Sequence, residues 1–178
     1  MSRVAKVNIA DERGSDGVSL LISILVRFPQ IGTINYESKN RIMRLNFMVA
    51  RPIGDQEQED LAQKLASHIK AYHFVTSQKP TCMKFECSQQ YQKYHCISLE
   101  RDLASLSKGE LELVISMLSE SFGEDLVVED RESLPDFLDD PGFPEDLIDS
   151  MMETVRSQRA AKNLTAMREN GRVLVFNK

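Results

Sequence analysis

The sequence predicts an α+β domain over residues 1–130, built on a ferredoxin-like antiparallel sheet with its helices on one face. Two observations predict it. Strand-like runs at residues 34–37, 42–49, 83–87 and 91–99 pair into two hairpins, each followed by a capped amphipathic helix. With a strand at 4–9 and a helix at 18–28 ahead of them, the first six elements run strand, helix, strand, strand, helix, strand, the split-βαβ order. A chain of 178 residues, 42% hydrophobic and 28% charged, can bury such a core without disulfide or metal staples.

Each element follows from its residues. Val4 to Ile9 alternate as a strand, and Asp11 to Gly17 read as a turn that caps the next helix. Val18, Leu21, Ile22, Leu25 and Phe28 recur at helical spacing; Leu20 and Ile24 widen the stripe, and Pro29 ends it. Ser38 to Arg41 turn the first hairpin. On its second strand Met43, Leu45, Phe47 and Val49 share one face, and Arg44 and Asn46 take the other. Asp55 with Gln58 caps a helix whose apolar side is Leu61, Leu65, Ile69 and Tyr72. The second hairpin turns near Ser88 to Gln90. Ser107 and Glu110 form a capping box, stapled by Leu106 and Leu111, for a helix with Val114, Ile115, Leu118 and Phe122 on one face. Gly123 stops it and Leu126 to Val128 begin a strand. Ile34-Asn35-Tyr36-Glu37-Ser38 matches Met83-Lys84-Phe85-Glu86-Cys87 at an offset of 49 residues, which suggests an internal duplication.

The rest of the chain is electrically two-sided. Twelve acidic residues stand against Arg131 alone between Glu124 and Glu153, whereas six basic residues oppose only Glu169 from Thr154 onward. Pro135, Pro141, Gly142 and Pro144 make residues 131–144 an acidic linker. Residues 145–178 then form a helix running through Arg156, Arg159 and Lys162 toward Gly171, and a short strand at 172–176.

Composition narrows the function classes. Val18 to Phe28, the longest apolar stretch, is interrupted by Ser19, Ser23 and Arg27 and falls short of the roughly 20 residues of a membrane span. The N-terminus lacks the pattern of a signal peptide, and three Cys favour reduced thiols, so a cytoplasmic address is expected. Cys82, Cys87, His95 and Cys96 share a hairpin, but alternation sends them to opposite faces at spacings unlike closed zinc sites. His68 and His73, five apart, read as ordinary surface histidines. No nucleophile elbow or phosphate loop occurs, and the Asp-rich linker promises exposure rather than a paired acid and base. No catalytic residue, metal or cofactor is therefore expected.

The function expected is a non-enzymatic interaction or assembly module. Its contact residues are Leu147, Ile148, Met151, Met152 and Val155 on the C-terminal helix, with Val173 and Val175 on the final strand. These dock on the chain itself, on a second copy as a homodimer, or on another protein, because an isolated apolar helix of that length is not stable in water. One alternative is an RNA-associated protein using Lys39, Arg41, Arg44 and Arg51 with Arg156, Arg159 and Lys162, against a net charge of −5. Another is regulation by a small effector bound at a sheet–sheet interface, which no particular residue supports.

Overall fold

The computed structural model describes residues 12–91, 93–128, 146–158, 162–169 and 171–177. In chain order the elements are α1 (Glu12–Arg27), β1 (Thr33–Glu37), β2 (Ile42–Val49), α2 (Asp55–Val75), β3 (Met83–Tyr91) and β4 (Tyr94–Asp102). They continue with α3 (Lys108–Phe122), α4 (Leu147–Ser157), β5 (Leu164–Glu169) and β6 (Arg172–Asn177). The strand expected at 4–9, the linker at 131–144 and Arg159 lie outside the described residues.

The six strands form one antiparallel sheet in the order β3-β4-β2-β1-β5-β6. The α+β class is as the sequence predicts; the ferredoxin-like order is not what these strands adopt. That order reserves the place beside β2, away from β1, for the N-terminal strand. Here β4 holds it, paired with β2 from Ile42–Asp102 to Val49–His95. Two long alternating strands can match eight residues there, which favours joining the two ββα units through their second strands.

Alternation sets the core. Ile34, Tyr36, Met43, Leu45, Phe47, Val49, Ile97, Leu99, Leu164 and Ala166 are buried on one face of the sheet, in a single cluster with residues from all four helices. On α2 the buried series is Leu61, Leu65, Ile69 and His73, so the periodicity ends on His73 rather than Tyr72. Among the described residues no helix is long and apolar enough to cross a membrane.

Several expectations are corrected by packing. The run expected as a capping turn belongs to α1, which starts at Glu12. A Cβ at Gly17 would lie 3.1 Å from Leu164 Cδ1, so the glycine lets this helix lie close over β5. The helix expected to run on toward Gly171 stops at Ser157, and Leu164–Glu169 pairs with β1 instead. Alternating burial of Leu164 and Ala166 outweighs the helical reading of that stretch, and Asn163 Oδ1 holds the entry by accepting from Ser38 N and Oγ at 2.9 and 3.0 Å. β5 and β6 belong to the same sheet as β1 to β4. Among the described residues Leu126–Val128 makes a single bridge, Leu126 to Val49.

Arginines close the helix ends. Arg168 on β5 donates to the carbonyls of Leu25, Phe28 and Ile31 at the end of α1. Arg41 donates to Arg156 O and Gln158 O, at 2.6 and 2.9 Å, at the end of α4. These are carbonyls that a helix cannot satisfy by itself, and a cation is favoured at that pole.

Candidate functional site

The helices lie on one side of the sheet, and the side chains of the other side form ordered rows. One row runs Leu174, Met167, Thr33, Asn46, Ser98, Glu86 from β6 to β3. The next runs Phe176, Thr165, Asn35, Arg44, Glu100, Lys84. The face therefore grades from apolar at β6, through amides and hydroxyls, to charge at β3.

The middle of this face is internally bonded. Asn35 Nδ2 donates to Thr165 Oγ1 at 3.1 Å, and Asn46 Nδ2 donates to Thr33 Oγ1 at 2.7 Å and Asn35 Oδ1 at 3.0 Å. Ser98 Oγ donates to Asn46 Oδ1 at 2.7 Å. Arg44 pairs with Glu86, and its Nε stands 3.6 Å from Glu100. Thr33, Asn35, Arg44, Asn46, Glu86 and Ser98 line a shallow cleft of about 410 Å3 with Met48 and Cys96. A small effector entering it would have to replace hydrogen bonds that already exist.

The two rims of the sheet differ. At β3 the register breaks between Gln89 and Tyr91, and Lys84, Glu86, Ser88, Gln89 and Gln90 are exposed. A bulge and charged side chains are the usual protection of an edge. β6 pairs with β5 in unbroken register and has no charge or proline from Val173 to Phe176. Val173 and Val175 pack partly against the core, Leu174 is half-buried on the open side, and Phe176 is 46% exposed.

The expected contact residues divide accordingly. Ile148, Met152 and Val155 are buried in the chain's own core, where α4 packs on α1, with Leu147 and Met151 half-buried beside them. Only Val173 and Val175 stand at a rim. The basic residues proposed for RNA are also dispersed. Arg41 caps α4; Arg44 faces Glu86 and Glu100; Arg51 pairs with Glu57 at 2.6 Å and Asp125 at 3.3 Å. Arg156 donates to Leu103 O at 2.8 Å and to Leu106 O, leaving Lys39 and Lys162 as the exposed members among the described residues.

The sequence reading missed a buried charge cluster. Arg101 and Glu110 are 0% exposed, and the guanidinium grips the carboxylate through Nε–Oε2 at 2.9 Å and Nη2–Oε1 at 2.8 Å. His73 Nε2 meets Glu110 Oε1 and lies 3.0 Å from Arg101 Nη2, with its Nδ1 buried and unpartnered. Asp102 Oδ2 accepts from Ser105 N at 3.0 Å and Oγ at 2.6 Å, while Oδ1 accepts from Thr81 N and Cys82 N at 3.1 and 3.0 Å. Burial works to raise the Asp102 carboxyl, but Ser105, the Cys82 amide and Arg101 outweigh it and hold the group well below the usual carboxylate range. Glu110 reads in the sequence as half of a capping box. Ser107 Oγ does accept from Glu110 N, at 3.3 Å, but the Glu110 side chain turns inward to Arg101. The available signal was His73 completing the spacing of Leu61, Leu65 and Ile69.

Chemically this cluster ties α2, β4 and α3 together rather than poising a nucleophile. The Ser105 hydroxyl donates to Asp102 and accepts from Arg101 at 3.0 Å, while His73 is engaged with Glu110, so among the described residues His73 is not directed at the serine as a base. The Cys87 thiol is pushed up to about 11 by burial, with Cys96 and Glu57 adding to it, and burial also raises Cys82, which disfavours thiolate chemistry at either. Among the described residues no three His, Cys, Asp or Glu side chains assemble as a metal site. No family model, no curated protein and no solved structure matches the chain.

Proposed function

We propose that the chain is a non-enzymatic assembly module that associates with a second copy of itself through the rim of its sheet. The carrying observation is the contrast between the rims: β3 is bulged and charged, while β6 is regular, uncharged over its middle and half-exposed on both faces. Among the described residues no strand pairs with the outer side of β6, and backbone groups so placed beside apolar side chains form a template for another strand. The alternative RNA reading loses support because Arg41, Arg44, Arg51 and Arg156 are committed to carbonyls or carboxylates of the same chain. Three free, half-buried thiols suit a reducing, cytoplasmic setting.

Light scattering on the full chain over about 1 to 100 μM tests this reading, because a single strand pairing of this size supports association of about micromolar strength. The mass is expected to rise toward two chains with concentration. A single-chain mass at every concentration would remove the reading.

A further inference from the structure

We infer that two copies pair antiparallel along β6, with the two-fold axis passing through Leu174, so that two six-stranded sheets become one continuous sheet. The inference rests on the assembly reading and adds its geometry: which strand, which register and which side chains meet.

The face pattern restricts the register. A two-fold axis perpendicular to the sheet keeps the helices of both copies on the same side. Residues opposite one another must then come from the same face, so the axis passes through a residue and not between two. On β6 the helix-side residues are Val173, Val175 and Asn177, and the open-side residues are Arg172, Leu174 and Phe176, as fixed by their partners on β5. An axis through Val175 sets Leu174 against Phe176 but Val173 against the Asn177 amide. An axis through Leu174 sets Val173 against Val175 twice, Leu174 against its own copy, and Arg172 beside Phe176.

The second arrangement is the complementary one on both faces. On the helix side it joins apolar side chains already packed partly against the core, next to α1, which contacts both β5 and β6. On the open side it gathers Leu174 and the adjacent Met167 of each copy around the axis and brings a guanidinium to an aromatic ring 46% exposed in the single chain. No like charges oppose each other, since Arg172 is the only charged residue from 172 to 177 and the two copies of it lie at opposite ends of the pairing. The polar rows of the two open faces then run outward from an apolar centre to the guarded β3 rims.

Cysteine substitution on the full chain reads the register. Leu174→Cys places two thiols opposite each other on the axis, whereas Val175→Cys places each opposite Val173. Under mild oxidation with glutathione disulfide, L174C is expected to run mainly as a linked dimer on a non-reducing gel, while V175C and the native chain, with its three thiols, stay unlinked. L174K, which sets like charges face to face on the half-exposed side of the strand, is expected to weaken association about tenfold or more by light scattering. Linking of V175C but not L174C would overturn the register. If neither links and L174K associates normally while the native chain still scatters as two copies, the assembly reading stands and pairing along β6 is overturned. A native chain that stays single removes both.

Discussion

Replacing Arg101 by alanine is expected to cost about 3–5 kcal/mol of folding stability, because it leaves two buried carboxylates without their cation. Glu110 loses both bidentate bonds and keeps only His73 within reach. Asp102 is better provided for, since Ser105 and the Thr81 and Cys82 amides remain. A loss of that size is a large share of the roughly 5–15 kcal/mol that holds a typical domain together, and lowers a urea midpoint by about 1.5 M or more. The double variant Arg101→Met with Glu110→Leu should recover part of the loss, because it removes the stranded charge with its partner. An R101A midpoint equal to that of the native chain would show that the cluster ties nothing together.

Ending the chain after Asp130 is expected to abolish the cooperative fold. The truncation removes Ile148, Met152, Val155 and Leu164, all buried, each of the larger ones worth about 1.5–3 kcal/mol of burial. It also uncovers the faces of Leu20, Leu21 and Ile24 that share their cluster and unpairs β1 along the side now held by β5. Together these losses are comparable with the whole stability of a domain. The truncated chain should give poorly dispersed amide resonances and no sharp melt. A dispersed spectrum with a cooperative transition would show that residues 145–178 are an appendage, as their separation by an acidic linker suggests in the sequence.

The parts of the fold legible from sequence are those set by local periodicity. Period-two burial on β2 and helical stripes on α1 and α3 come from side chains repeating toward one core, and the capping serine at 107 acts within its own turn. What was not legible depends on distant partners. Leu164–Glu169 carries residues that a helix accepts as readily as a strand, and β1 decides the matter. The strand order depends on β4 meeting β2 some fifty residues away, which no local pattern encodes. Arg101 and Glu110 resemble surface residues because charge predicts exposure, and only their mutual pairing allows both to be buried. The contact stripe on α4 was visible, but its occupant is α1 of the same chain.

The most direct test is backbone amide exchange on the full chain, compared at concentrations on either side of half-association. If copies join along β6, alternate amides between Arg172 and Asn177 gain protection as concentration rises, while those of Lys84 to Gln90 on the opposite rim keep the same rates. Exchange along β6 that does not change with concentration, or protection that appears at β3 instead, would contradict the account.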